Sequence, residues 1–182
     1  MMKYIKDSLA LSALVKSKMA TDDPNQLETL KEQLKDRFGV PVGVHMTGIP
    51  LAVSTLLAIF CYAMLQVSLW LLLFRWLGLP EFKVMMGVFI AAIVYCLVVM
   101  STMFLTTRGS LPGYKLHIFV ITLTGIMSII YFIWTGISLL FGPVENYTPQ
   151  ITSLLGLGCF FLNIMWMNSS IFYRSIALTL HN

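Results

Sequence analysis

The longest charge-free run in the chain covers residues 38–74, between Arg37 and Arg75. Its part from residue 48 onward is apolar almost throughout, and about 20 apolar residues suffice for a helix to cross the hydrocarbon of a bilayer. Three more apolar runs follow. Of 182 residues, 58% are apolar and 11% charged, whereas about a quarter of a soluble domain is charged. A soluble chain this short has too little interior to hide so much apolar surface. The runs predict spans at 48–74, 84–107, 116–141 and 151–173. The links hold Gly78 and Pro80, Pro112 and Gly113, then Gly142, Pro143 and Pro149. They are short, which makes successive helices antiparallel neighbours. The expected fold class is all-α: an integral membrane four-helix bundle with short antiparallel connections, preceded by two amphipathic N-terminal helices. Residues 1–47 form the head and 174–182 a short tail.

The head has two segments. Over residues 1–19, Met1, Tyr4, Ile5, Leu9 and Val15 gather on one side of a helical wheel, and Lys3, Lys6, Asp7 and Lys18 on the other. This pattern fits a helix lying on a membrane surface, an uncleaved organelle-targeting segment, or a helix packed on a partner. A second helix begins at Asp23, a capping residue followed by Pro24 and by Gln26 at the capping-box position. Leu27, Leu30, Leu34 and Phe38 make its apolar stripe, opposite Glu28, Lys31, Glu32 and Lys35. Gly39 and Pro41 end it.

Seven of the twelve Lys and Arg lie in the first 37 residues. Ten fall on the side that carries the head, the second link and the tail, against Arg75 and Lys83 on the other. The positive-inside rule then places both termini in the cytoplasm, or in the matrix or stroma of an organelle. The membrane is expected to be a mitochondrial or bacterial inner membrane. This charge distribution describes topology rather than a nucleic-acid surface, and no nucleic-acid partner is expected.

Chemistry has few carriers. The spans hold no Asp, Glu, Lys or Arg in their interiors, which argues against a pump or proton-coupled transporter. Six of the eight acids sit in the head, and no paired-carboxylate or His/Glu motif occurs. No catalytic, cofactor-binding or metal site is expected, and the chain is read as not an enzyme. Cys61, Cys96 and Cys159 are isolated within apolar runs and read as packing residues. His45 and His117 lie at the inner-side ends of spans; bis-histidine haem ligation is disfavoured there, because such ligands are normally buried between helices. His45, Arg108, Lys115 and His117 are instead candidates for a basic rim that meets anionic lipid head groups. Leu27, Leu30, Leu34 and Phe38 are candidate partner or lipid contacts. Gln66, Asn163 and Asn168 are candidate interhelical polar contacts. Ser54/Ala58, Gly87/Ala91, Thr124/Ser128 and Thr152/Gly156 put small residues four apart on each span, which permits close helix approach. Asn146-Tyr147-Thr148 matches a glycosylation sequon.

The run Leu30-Lys31-Glu32-Gln33-Leu34-Lys35-Asp36-Arg37-Phe38-Gly39, then Val44-His45, an apolar span and Leu77-Gly78-Leu79-Pro80-Glu81, resembles a domain of unknown function in small mitochondrial and plastid membrane proteins. The resemblance covers about a third of the chain, residues 30–81, with different spacing and fewer spans in that family. It implies an organellar inner-membrane protein without known catalysis.

Two functions are expected to compete. One is a non-catalytic subunit, assembly or scaffold component of a larger membrane complex, possible in an energy-transducing inner membrane. The other is a small homo-oligomeric channel, effector or immunity-type protein. The partners are membrane lipids, anionic ones among them, with other membrane-protein subunits or further copies of the chain.

Overall fold

The computed structural model describes residues 48–80, 83–141 and 147–181, with Ala10 alone before them. The expected head helices, the candidates Leu27, Leu30, Leu34, Phe38 and His45, and Asn146 of the sequon lie outside the described residues. Five helices occupy the described chain: α1 (Ile49–Trp76), α2 (Val84–Thr107), α3 (Leu111–Phe141), α4 (Thr148–Met167) and α5 (Ser170–His181). No strand occurs among the described residues. The first four helices are long and apolar enough to cross a membrane. Even α4, with 20 residues, reaches about 30 Å at 1.5 Å per residue.

Local chemistry sets the helix ends. Gly78 has φ 64° and Gly109 has φ 79°, the left-handed conformation that glycine adopts without a side-chain clash. At each, two backbone bonds close the preceding helix: Leu79 N–H to the Phe74 carbonyl with Gly78 N–H to Arg75, and Ser110 N–H to Leu105 with Gly109 N–H to Thr106. Ser110 then starts α3, its hydroxyl accepting from the Gly113 N–H at 3.3 Å. Pro112 therefore lies within the first turn of α3 rather than in a link, because proline suits a position whose N–H has no helical partner. Pro149 does the same for α4. The expected starts at residues 116 and 151 are accordingly late.

The fourth helix also differs at its far end. It stops at Met167, short of the expected residue 173. Ser169 begins a new helix by accepting from the Phe172 N–H at 3.2 Å. What was expected as the end of a span and a tail is α5, which packs on α1, α2 and α4 through buried Phe172, Ser175 and Ile176.

α1 to α4 run up and down in turn. α1 packs most extensively on α4, then on α2; α3 packs on α4 and α2, and α1 also touches α3 across the middle. Trp70 of α1 meets Gly87 of α2, and Phe160 of α4 fills the space left by Gly125 of α3. The distribution of polarity is the reverse of a soluble bundle. Ser54, Thr102, Thr106, His117, Ser128, Ser153 and Asn163 are buried, while Phe89, Phe141 and Phe161 are exposed at 69%, 86% and 49%. That inversion is stable only where the surroundings are apolar.

Candidate functional site

The interior polar groups form a ladder along the bundle, each rung joining two helices. At the end where α1 begins, the indole N–H of Trp166 donates to the Pro50 carbonyl at 2.8 Å. One turn deeper, Ser54 Oγ donates to Asn163 Oδ1 at 2.7 Å and Asn163 Nδ2 donates to the Ser54 carbonyl at 3.1 Å. Between α2 and α3, His117 Nδ1 lies 3.0 Å from Thr102 Oγ1. Deeper still, the Tyr95 hydroxyl is 2.8 Å from Thr124 Oγ1 and its ring stacks on Tyr62 at 4.0 Å. Towards the other end, Tyr131 donates to Ser68 at 2.6 Å and Thr135 to Ser153 at 2.8 Å. Each rung satisfies donors and acceptors that lipid could not.

Proton counting at His117 gives two arrangements. Thr102 has a single hydroxyl proton and two acceptors in reach, the Val99 carbonyl at 2.7 Å and His117 Nδ1 at 3.0 Å. Where it goes to Val99, Thr102 Oγ1 accepts from His117 Nδ1–H and Nε2 keeps a lone pair; where it goes to Nδ1, Nε2 carries the ring proton. Nε2 is buried without a hydrogen-bond partner among the described residues, as are Thr55 Oγ1 and Gln66 Oε1.

These positions sort the candidates. Asn163 makes the interhelical contact expected of it. Gln66 is buried, yet its Oε1 bonds nothing in the neighbouring helices. Asn168 lies in the break after α4, where its backbone N–H bonds to the Ile164 carbonyl. Arg108 and Lys115 are both exposed at one end of the bundle, and the Arg108 guanidinium sits 4.3 Å from the Phe104 ring centroid. His117 does not join them. It is 0% exposed, because α3 starts at Leu111 and places His117 more than a turn inside the bundle. A head group cannot reach it, so His117 is removed from the expected basic rim; Arg108 and Lys115 remain exposed, and His45 lies outside the described residues. No group of three or more His, Cys, Asp or Glu that could hold a metal is gathered among the described residues.

A groove at the opposite end went unnoticed in the sequence. It has a volume of about 440 Å³ and lies between α1 and α3 beside the first turn of α4. Leu72, Met127, Ile130 and Trp134 wall it, Ser68, Tyr131 and Thr135 floor it, and Arg75 and Gln150 stand at its end. Its residues sit at i, i+3, i+4, i+7 intervals on α1 and α3 (68, 71, 72, 75 and 127, 130, 131, 134). The periodicity was legible, but nothing in it said that the two stripes face each other.

No protein-family model, curated protein or solved structure matches this chain.

Proposed function

We propose that the chain is a non-catalytic integral membrane protein that serves as a subunit or assembly component of a larger membrane complex. One observation carries the reading. Most of the interior polar groups are turned on one another across helices, as in Ser54 with Asn163, Thr102 with His117 and Thr135 with Ser153, although Gln66 Oε1 and Thr55 Oγ1 are not. Catalysis and conduction need polar groups that face a space a substrate or ion can enter. Groups committed to fastening helices together make a rigid post. What such a post offers is its surface, and the surfaces of all four long helices are apolar over most of their length.

In this reading α1 to α4 cross the membrane, both termini lie on the cytoplasmic, matrix or stromal side, and the membrane is a bacterial or mitochondrial inner membrane. The head, with the Leu27, Leu30, Leu34 and Phe38 stripe, and the rim of Arg108 and Lys115 supply partner and anionic-lipid contacts on that side. The test is native mass spectrometry of the chain released from its membrane with mild detergent. A heteromeric assembly is expected. A particle containing only copies of this chain overturns the subunit reading and favours a homo-oligomeric channel or effector.

A further inference from the structure

The groove beside Arg75 has the length of a lipid acyl chain and a charged end. Along α3 it extends from Met127 to Ser138, which is about 16 Å at 1.5 Å per residue, or half the roughly 30 Å hydrocarbon thickness of a bilayer. That length matches the reach of one extended acyl chain within one leaflet.

Its polarity is graded along its length. Leu72, Met127, Ile130 and Trp134 present apolar sides. The hydroxyls in the floor are occupied with each other, Tyr131 donating to Ser68 at 2.6 Å and Thr135 to Ser153 at 2.8 Å. An acyl chain laid over Tyr131 and Thr135 strands neither donor. At the end of the groove Arg75, in the last turn of α1, and Gln150, in the first turn of α4, stand at the level where a span meets head groups. A guanidinium has five N–H donors in a planar fork, so a phosphate joins whatever else Arg75 bonds.

We propose that this groove binds one anionic phospholipid of the leaflet at the Arg75 end, with an acyl chain along α3 and the phosphate at Arg75. The proposal rests on the reading of the chain as a membrane protein, and not on its role as a subunit.

The test uses the full chain in mild detergent, supplied with phosphatidylglycerol or phosphatidylcholine and read by native mass spectrometry. One phosphatidylglycerol per chain is expected to remain bound, preferred over phosphatidylcholine by about tenfold, the scale of one charge-assisted contact. Arg75→Gln is expected to abolish the preference while keeping basal retention. Ile130→Trp, which fills the groove, is expected to lower retention of both lipids, whereas Ile93→Trp on the exposed face of α2 leaves it unchanged. Equal retention in Ile130→Trp and Ile93→Trp, or a preference that survives Arg75→Gln, overturns the site. Arg75→Gln changes an exposed position at the end of α1, outside the core, so its arm reads out even where the groove-filling chain fails to fold. Carbonate washing of membranes separates the two levels: a chain that washes off overturns the membrane reading itself, while one that stays and shows no lipid preference overturns only the groove.

Discussion

Ser54 on α1 and Asn163 on α4 are 109 positions apart in the chain and bond to each other twice, at 2.7 Å and 3.1 Å. Both are buried. The pair closes α1 on α4. Asn163→Ala removes both bonds and opens a small cavity, for an expected loss of about 2 kcal/mol. Combined with Ser54→Ala in a double-mutant cycle, the coupling is expected at about 0.6–1.7 kcal/mol, the range for hydrogen bonds between membrane helices. Denaturant unfolding in micelles measures both. A coupling of zero means that the two bonds do not fasten α1 to α4.

The α3–α4 contact depends on the absence of a side chain. A Cβ on Gly125 would fall within the ring of Phe160, and this ring is itself largely buried. Gly125→Ala is expected to destabilise the bundle by about 1–3 kcal/mol through overpacking, even though alanine is the better helix former. Adding Phe160→Leu should recover part of that loss, because the smaller side chain vacates the overlap. Gly136 has nothing within 4 Å of its would-be Cβ. Gly136→Ala is the matched control and is expected to stabilise α3 slightly, by up to about 1 kcal/mol. Equal effects at the two glycines, measured by thermal unfolding, would remove the close-packing argument.

The spans were legible because lipid leaves so little choice: uncharged runs of 24 and 26 residues, 84–107 in α2 and 116–141 in α3, can do almost nothing else. Their ends were less legible. Pro112 and Pro149 look like breakers in sequence, yet a proline in a first turn starts a helix as readily as it stops one. The Ser169 cap was hidden inside an apolar stretch, so α5 looked like the end of a span. The pairing of polar residues was legible only in kind. Asn163 had to bond to another helix, but Ser54 is one of many serines and threonines, and only the fold selects it. His117 next to a basic cluster looked interfacial until the start of α3 at Leu111 placed it inside. The groove depends on which faces of α1 and α3 turn towards each other, information that no single helix contains.

The three thiols should react in an order set by their surroundings. Cys61 is 2% exposed in the interior, while Cys96 on α2 and Cys159 on α4 are partly exposed, Cys159 at the margin of the core. N-ethylmaleimide, small and apolar, is expected to label Cys96 and Cys159 of the folded chain in micelles at least about tenfold faster than Cys61, which needs the bundle to open first. Mass spectrometry of timed, quenched samples gives the three rates. Once the chain is denatured the difference should vanish. Equally rapid labelling of Cys61 in the folded chain would mean that the interior between α1 and its neighbours is open.

α5 offers a test of how the bundle is closed at the end where α1 begins. Phe172 and Ile176 are each 1% exposed, held against α1, α2 and α4. The helix has 12 residues, too few to persist alone, because isolated helices shorter than about 12–15 residues are marginal in water. It therefore stays folded only while docked. Phe172→Ala is expected to weaken docking by about 3 kcal/mol, and Ser169→Ala, which removes the cap, by about 1 kcal/mol. Trypsin cutting after Arg174 reads the undocked fraction when docking is fast. A loss of about 3 kcal/mol then raises the cleavage rate roughly a hundredfold, and about 1 kcal/mol raises it roughly fivefold. Asn163→Ala, which acts on α1 and α4 rather than on α5, should change that rate much less than it changes global unfolding. A cleavage rate insensitive to Phe172 would mean that α5 swings clear of the bundle, and that Phe172 and Ile176 are available to the membrane surface or a partner.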